Sequence, residues 1–193
     1  MTASKIHDFL HKIDPSISQS PEGKLWPAFL HCSNTQCIQT ENSSRYSPLQ
    51  TDKALYLIPA IGKELDASAS DLLVIIPYRD MLNHVRHRLS QQIGELKSVQ
   101  VATADSFQGH EAHLTFLIQT VDAESGPGFL CDCRRLNVCS SRHTEMFFAI
   151  GDINTVQHAR MSIPTQALVD EGEHMTQQSS RPGGPQFLFE FLN

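Results

Sequence analysis

Short runs of consecutive apolar residues alternate along the chain with segments in which apolar residues recur every three or four positions. The continuous runs predict buried strands, because a strand that is covered on both faces has no polar alternation. The segments with the longer spacing predict amphipathic helices. The predicted strands are 28–32, 71–77, 99–103, 114–121 and 145–150, and the predicted helices are 49–65, 79–93 and 132–144. Strands that alternate with helices in this way favour an α/β domain, with a parallel sheet of about five strands and helices on both faces.

The two ends of the chain carry a weaker pattern. Residues 1–24 combine a short amphipathic stretch with a segment rich in Ser and Pro, which predicts an N-terminal helix and a linker. Residues 166–193 are polar and contain Gly and Pro, which is typical of a disordered tail. Within that tail, residues 188–192 are apolar, and they are either a docking strand or the end of a fusion or frameshift product. The predicted domain therefore spans residues 25–165.

The composition narrows the class of protein. A chain of 193 residues supports one sizeable core, and its net charge of −6 argues against a free-standing nucleic-acid-binding module with a basic face. A local basic groove is compatible with that charge. The chain has no apolar run long enough to span a membrane, and its five cysteines, an odd number without Cys-x2-Cys spacing, predict neither a disulfide framework nor a metal site. We therefore expect an intracellular protein of the nucleus or cytoplasm.

Three segments carry recognisable motifs. They read Ile75-Ile76-Pro77-Tyr78-Arg79, then Thr103-Ala104-Asp105-Ser106-Phe107-Gln108-Gly109-His110-Glu111, and then Arg134-Arg135-Leu136-Asn137-Val138 followed by Ser141-Arg142. In this order they resemble motifs IV, V and VI of superfamily-1 helicases, most closely the branch of the nonsense-mediated-decay helicases and their DNA-replication relatives. The resemblance covers about residues 25–152. It implies a three-layer RecA-like fold and the second of the two motor domains of such a helicase.

The resemblance implies that the third motif contacts nucleotide. Arg142 is expected to be an arginine finger, whose guanidinium stabilises the charge that spreads during phosphoryl transfer, an effect of ~10³–10⁵ in rate. Judged alone, Arg142 is better explained as a surface arginine paired with Glu145, and the surrounding motif reverses that preference. Arg135 is expected to be a second arginine of the same cleft. Arg134 is expected to hold the loop through an ion pair, with Asp132 or Glu111 as its partner.

The other two motifs imply contacts to nucleotide and to nucleic acid. Glu111 is expected to accept a ribose hydroxyl, and Gly109 beside Gln108 allows a ligand to approach the backbone closely. Thr103 and Ser106 offer hydroxyls to a nucleic-acid phosphate. Tyr78 is expected to stack on adenine or on a base, with packing at the strand end as the alternative. Because ligand sites of parallel sheets lie at the carboxyl ends of the strands, we expect the phosphate site there.

The chain departs from the family at several positions. It contains no Gly-x-x-x-x-Gly-Lys-Ser/Thr segment and no Asp-Glu pair after an apolar strand, so it lacks the usual groups for the β- and γ-phosphates and for Mg²⁺. Cys131-Asp132-Cys133 replaces the usual Asn-Asp-Pro, and Met81 stands where the family usually has glutamine. His143-Thr144 follows Arg142 where the family continues with alanine and a second cation.

Two hypotheses remain open. In the first, the chain is the second RecA-like domain of an ATP-dependent helicase that moves on single-stranded RNA or DNA, and a first domain in cis or trans supplies the phosphate-binding loop. In the second, it is a catalytically inactive remnant that acts as a binding or interaction module. Under either hypothesis we expect no ATP hydrolysis by the chain alone. An unrelated α/β hydrolase is disfavoured, because the sequence has no Gly-x-Ser-x-Gly segment.

Overall fold

The computed structural model describes residues 3–13, 27–91, 95–107, 111–155 and 189–191. The helices are α1 (Ala3–Ile13), α2 (Pro48–Glu64), α3 (Arg79–Ser90) and α4 (Cys133–Ser140). The strands are β1 (Ala28–His31), β2 (Ile38–Gln39), β3 (Arg45–Tyr46), β4 (Leu72–Ile75), β5 (Gln100–Ala102), β6 (Ala112–Ile118), β7 (His143–Gly151) and β8 (Phe189–Phe191). Every strand and helix predicted inside the domain is present. The helix predicted to reach residue 144 ends at Ser140, because β7 begins three residues later.

The main sheet has six strands in the order β5-β4-β6-β7-β1-β8. The first five strands are parallel to their neighbours, which confirms the predicted parallel sheet, whereas β8 is antiparallel to β1. Phe116 of β6 is in register with Phe148 of β7, and their rings stack with centroids 4.9 Å apart. Strand β8 lies inside the segment that we expected to be a disordered tail, while residues 166–188 and 192–193 of that segment lie outside the described residues.

Helices cover both faces of the sheet, which confirms the three-layer architecture. Alternate residues of each strand point to opposite faces, so Val74 packs with α2 and α3 on one face and Leu73 packs toward α4 on the other. On the first face α1 also joins the core, because Ile6 and Leu10 are fully buried. We expected residues 1–24 to lie outside the domain, but this part of the segment packs on the same face of the sheet as α2 and α3.

The direction of the parallel strands gives the sheet two distinct edges. We call the ends of β4, β5, β6, β7 and β1 the carboxyl edge, and the starts of the same strands the amino edge. Ser47 caps the N-terminus of α2 near the carboxyl edge, where its hydroxyl accepts the amide of Gln50, and Pro48 begins the helix. The small β2–β3 hairpin precedes α2, and its two-residue strands are too short to give a periodic signal. None of the described helices is long and apolar enough to cross a membrane.

Candidate functional site

Arg142 and Glu111 lie together at the amino edge. Glu111 directly precedes β6 and Arg142 directly precedes β7, and the amide of Ala112 donates a hydrogen bond to the Arg142 carbonyl at 2.9 Å. The hydroxyl of Thr115 donates to the same carbonyl at 3.1 Å. Our expectation that the phosphate contacts gather at the carboxyl edge is wrong for these two residues. Both precede strands of a parallel sheet, and residues in that position share its amino edge.

The side chain of Arg142 is held at its base. Its Nε atom donates to the carbonyl oxygen of Val138 at 3.1 Å, which satisfies one carbonyl of the last turn of α4. Among the described residues Arg142 makes no ion pair, and the Glu145 carboxylate lies 3.9 Å from Nδ1 of His113. A guanidinium whose two Nη groups are not engaged by these residues suits a planar anion such as a phosphate.

Three acidic side chains share the amino edge with Arg142. His113 lies between two carboxylates, with Nε2 at 3.8 Å from Asp71 and Nδ1 at 3.9 Å from Glu145. A hydrogen bond from the Ser68 side chain lowers the pKa of Asp71, so this carboxylate is charged at neutral pH. Glu111 adds a third, exposed carboxylate. The local field therefore disfavours a free polyanion, and Arg142 suits a phosphate that another group already holds and partly neutralises.

Tyr78 is packed into the carboxyl edge. Its hydroxyl accepts the amide of Phe129 at 2.9 Å, and the Arg45 guanidinium lies 5.6 Å from the centroid of its ring. Arg45 also donates to the carbonyl of Gly126 at 3.2 Å. Gly128 sits against this cluster with φ +49°, where an added Cβ would lie 2.3 Å from the Tyr78 hydroxyl. These contacts support the packing alternative for Tyr78, because its hydroxyl and one ring face are already engaged.

Asp132 organises the start of α4 at the same edge. Its Oδ1 atom accepts the amides of Arg134 at 3.1 Å and Arg135 at 3.4 Å, as an N-cap does. Its Oδ2 atom lies 3.6 Å from Nε of Arg135, whose guanidinium also lies 5.5 Å from the ring centroid of Phe129. The ion pair with Asp132 is thus made by Arg135, whereas we expected Arg134. Arg135 lies in the first turn of α4 and Arg142 follows its C-cap Ser141, so the eight-residue helix, about 12 Å long, holds the two apart.

Thr103 and Ser106 form a tight turn at the end of β5. The Thr103 amide donates to Oγ of Ser106 at 2.9 Å, and the Ser106 amide donates to Oγ1 of Thr103 at 3.2 Å. The turn is exposed at Ser106 and anchored by the buried Phe107 next to it. Both hydroxyls also donate within the turn, Thr103 to Oγ of Ser106 at 2.9 Å and Ser106 to the Thr103 carbonyl at 3.1 Å, so a bond from either hydroxyl to a phosphate requires that hydroxyl to rotate.

An open polar groove, the β5 groove, runs beside this turn along the free side of β5. It is lined by Arg86 and Ser90 of α3, by Lys97, and by the strand itself as far as Ser106. Arg86 donates to the carbonyl of Val101 at 2.7 Å, which satisfies one free carbonyl of the edge strand. The groove therefore places two cations beside the Thr103–Ser106 turn. No periodic pattern predicts this groove, since its residues come from three separate elements.

A buried polar network fixes the loop that follows β6. The side chain of Gln50 donates to the Val121 carbonyl at 2.8 Å and to Thr35 at 3.2 Å, and it accepts the Thr120 amide at 2.9 Å. Thr120 has φ +64°, an uncommon conformation for a β-branched residue. Sequence reasoning missed this network. A signal was present, because Gln50 continues the buried stripe of α2 one turn before Ala54.

Two predicted residues, Gln108 and Gly109, lie outside the described residues. In the part of the chain that is described, no group of three or more His, Cys, Asp or Glu side chains is placed to hold a metal ion.

Comparison with known proteins identifies the family. The AAA domain family matches residues 6–154. Helicase sen1 of Schizosaccharomyces pombe is 33% identical over 87 residues, which are 44% of this chain and 5% of that protein. DNA-binding protein SMUBP-2 of Rattus norvegicus is 27% identical over 147 residues, 75% of this chain and 14% of that protein. Regulator of nonsense transcripts 1 of Dictyostelium discoideum is 32% identical over 131 residues, 63% of this chain and 10% of that protein.

These matches cover only a small part of each relative, 5% to 14% of the three lengths. They agree with the order of motifs IV, V and VI and with the parallel sheet that carries them. The chain belongs to this AAA domain family and is a second, C-terminal RecA-like domain of the superfamily-1 helicase type.

Proposed function

We propose that the chain works as the second motor domain of an ATP-dependent helicase, with a first RecA-like domain in cis or trans. The observation that carries this proposal is the placement of Arg142 and Glu111 before neighbouring strands at the amino edge, with the Arg142 side chain held through Nε by the Val138 carbonyl. The missing phosphate-binding loop and the acidic surroundings of Arg142 mean that the first domain has to bind the nucleotide. ATP bound there would supply the free energy of movement.

Arg142 and Glu111 would complete that nucleotide site. The hydrogen bond from Nε of Arg142 to Val138 holds the guanidinium at the end of α4, so the arginine is orientated before it meets the phosphate. Glu111 is exposed next to it and would accept a ribose hydroxyl. Arg135 and Tyr78 take no direct part in this proposal, because their described contacts place them at the opposite edge.

The carboxyl edge would carry the single-stranded nucleic acid. Thr103 and Ser106 would contact phosphates there, and the β5 groove adds Arg86 and Lys97 as cations next to them. Such contacts hold the strand without reading its sequence, which suits a motor that moves along it. The strand is single-stranded RNA or DNA in this proposal, and an intracellular site of action in the nucleus or cytoplasm stays a prediction.

The second candidate function is a catalytically inactive binding module. The observations that favour it are the carboxylates around Arg142 and the engagement of Tyr78 in packing. The two candidates differ in whether Arg142 matters for catalysis once a first domain is present. Neither predicts hydrolysis by the chain alone.

The test is ATP hydrolysis by the chain mixed with a separately purified first RecA-like domain, in the presence of single-stranded RNA or DNA. We expect hydrolysis above that of the first domain alone, and a loss of ~10³-fold or more on Arg142→Gln. Arg88→Gln is the matched control, because Arg88 pairs with Asp52 at 2.7 Å and lies outside the β5 groove. Equal rates for wild type and Arg142→Gln, with a first domain that binds the chain, would establish the inactive module.

A second assay isolates the nucleic-acid contacts. Binding of labelled single strands is measured for the wild type, Arg86→Gln and Lys97→Gln at several salt concentrations. Each substitution that removes a phosphate contact should lower the slope of log K against log salt by about one unit. The Arg88→Gln control should leave the slope unchanged, and an equal drop for all three variants would show a nonspecific charge effect instead of the groove.

A further inference from the structure

Two of the five cysteines, Cys131 and Cys133, are exposed, and they flank one residue. The other three differ from them in burial. Cys32 and Cys139 are buried, and burial raises the pKa of each thiol to about 11. Cys37 is half-buried, and burial raises the pKa of its thiol as well. The reactive thiolate is therefore suppressed in these three, and the thiol chemistry open to solvent reagents concentrates at Cys131 and Cys133.

The two exposed thiols are close enough to bond to each other. Cys131 ends a short 3-10 helix, Asp132 is the N-cap of α4, and Cys133 is the first residue of that helix. Residues two apart have Cα atoms separated by at most ~7 Å. Disulfides span Cα separations of about 4.4–6.8 Å. The chain spacing of Cys131 and Cys133, with Asp132 as the junction of two helices between them, is therefore compatible with a disulfide.

The surroundings favour an anionic reagent. Arg134 and Arg135 follow Cys133 directly on the exposed first turn of α4, and the Arg135 side chain is 53% exposed. A short peptide disulfide such as glutathione disulfide carries an excess of carboxylates over amines, so these arginines attract it.

We propose that Cys131 and Cys133 form a redox-modification site, which low-molecular-weight anionic disulfides of the glutathione type convert reversibly to an internal disulfide. One thiol loses its proton and attacks the reagent, whose sulfur–sulfur bond breaks, so that a mixed disulfide forms and one thiol molecule leaves. The second protein thiol then attacks the protein sulfur of the mixed disulfide and releases the second thiol molecule. The protein loses two electrons and two protons, and the reagent accepts both.

Closure of this bond acts on the carboxylate between the two cysteines. Asp132 caps the amides of Arg134 and Arg135 and lies 3.6 Å from Nε of Arg135. A ring that closes across Asp132 changes its backbone angles, now φ −90° and ψ 95°, and so moves its carboxylate away from α4. Oxidation would therefore uncap α4 and release Arg135, while Arg142 at the far end of the helix keeps its bond to Val138.

The experiment incubates the full chain with glutathione disulfide and measures intact mass and free thiols under native conditions. We expect the wild type to lose two hydrogens and two reactive thiols, with full reversal by a reducing dithiol and a slower reaction at high salt. Cys131→Ser and Cys133→Ser should each instead retain one bound glutathione. Cys37→Ser is the control and should form the internal disulfide like the wild type.

Amide hydrogen exchange gives the second readout. In the oxidised protein the amides of Arg134 and Arg135 should exchange faster, whereas those of α3 should be unchanged. Stable attachment of two glutathiones to the wild type, a disulfide between two chains, or no reaction would each overturn the proposal. None of these measurements uses nucleotide, so the proposal stands or falls separately from the helicase function.

Discussion

Replacement of Gln50 by alanine tests whether the carboxyl-edge loop depends on one buried amide. Gln50 is fully buried, and its three hydrogen bonds reach Thr35, Thr120 and Val121. Alanine would leave the Thr120 amide and the Val121 carbonyl without this partner in a buried site. Each unsatisfied buried group costs about 1–3 kcal/mol, so we expect a loss of about 3 kcal/mol in the free energy of unfolding.

The uncommon backbone of Thr120 adds to this expectation. A β-branched residue at φ +64° stays there only when its surroundings hold it, and the Gln50 side chain accepts its amide at 2.9 Å. Without that bond the loop can relax to a more common conformation, which recovers part of the lost energy but displaces the segment that leads to α4. We therefore expect faster amide exchange in residues 119–126 together with the loss of stability.

The assay is urea unfolding followed by far-ultraviolet circular dichroism. With a slope of about 2 kcal/mol/M, a loss of about 3 kcal/mol lowers the urea midpoint by roughly 1.5 M. Leu49→Ala is the matched control, because Leu49 is the neighbouring residue on α2 and is 48% exposed. A midpoint for Gln50→Ala within the range of this control would refute the reasoning, since it would mean that water replaces the amide at no cost.

Two further predictions concern the same edge. Gly128→Ala should lower the melting temperature more than Gly126→Ala. Both residues have positive φ, but only at Gly128 would the added Cβ press against the Tyr78 hydroxyl, at an extra cost of about 1–3 kcal/mol. Equal losses would mean that only the backbone strain of positive φ matters. Burial acts to raise the pKa of Asp122, but hydrogen bonds from Ser125, Cys37 and Glu124 together outweigh it, so the pKa is lowered. A carboxyl group with a lowered pKa stabilises the fold at pH values above its unfolded pKa of ~4, and this stabilisation is lost as the pH falls through the folded pKa. The wild type should therefore lose more stability between about pH 5 and pH 3 than Asp122→Asn does. Urea unfolding at each pH measures the difference.

The order of strands and helices was predictable from the sequence because each element has a strong local pattern. The run 71–77 is apolar and β-branched, and it became the buried strand β4 with Leu73 and Ile75 fully covered. The cap of α4 was predictable for a similar reason, since Asp132 precedes the helix at the position where a carboxylate binds free amides. Local chemistry decided both outcomes.

The arrangement of the site was less predictable, because it depends on which edge of the sheet each residue meets. We assigned all motifs to the carboxyl edge, although Glu111 and Arg142 each precede a strand and therefore lie at the amino edge. That error was avoidable from the order of elements alone. The contact of Arg45 with Tyr78 was not predictable, because the two residues are 33 positions apart in the chain and belong to elements that meet only in the folded domain.

Helix α4 connects the two edges of the sheet, and a change at its start, where the altered motif residues Cys131 and Cys133 lie, has a specific and local consequence. Its first turn is held at the carboxyl edge by Asp132, and its last turn holds Arg142 at the amino edge through the Val138 carbonyl. The uncapping that we expect on oxidation concerns the first turn, whereas the contact of Arg142 is made with a carbonyl of the last turn. The proposed thiol site and the proposed nucleotide contact would therefore be independent. In the oxidised protein the amide of Ser141, which donates to the Asn137 carbonyl at 3.1 Å, should exchange as in the reduced protein, while the amides of Arg134 and Arg135 exchange faster.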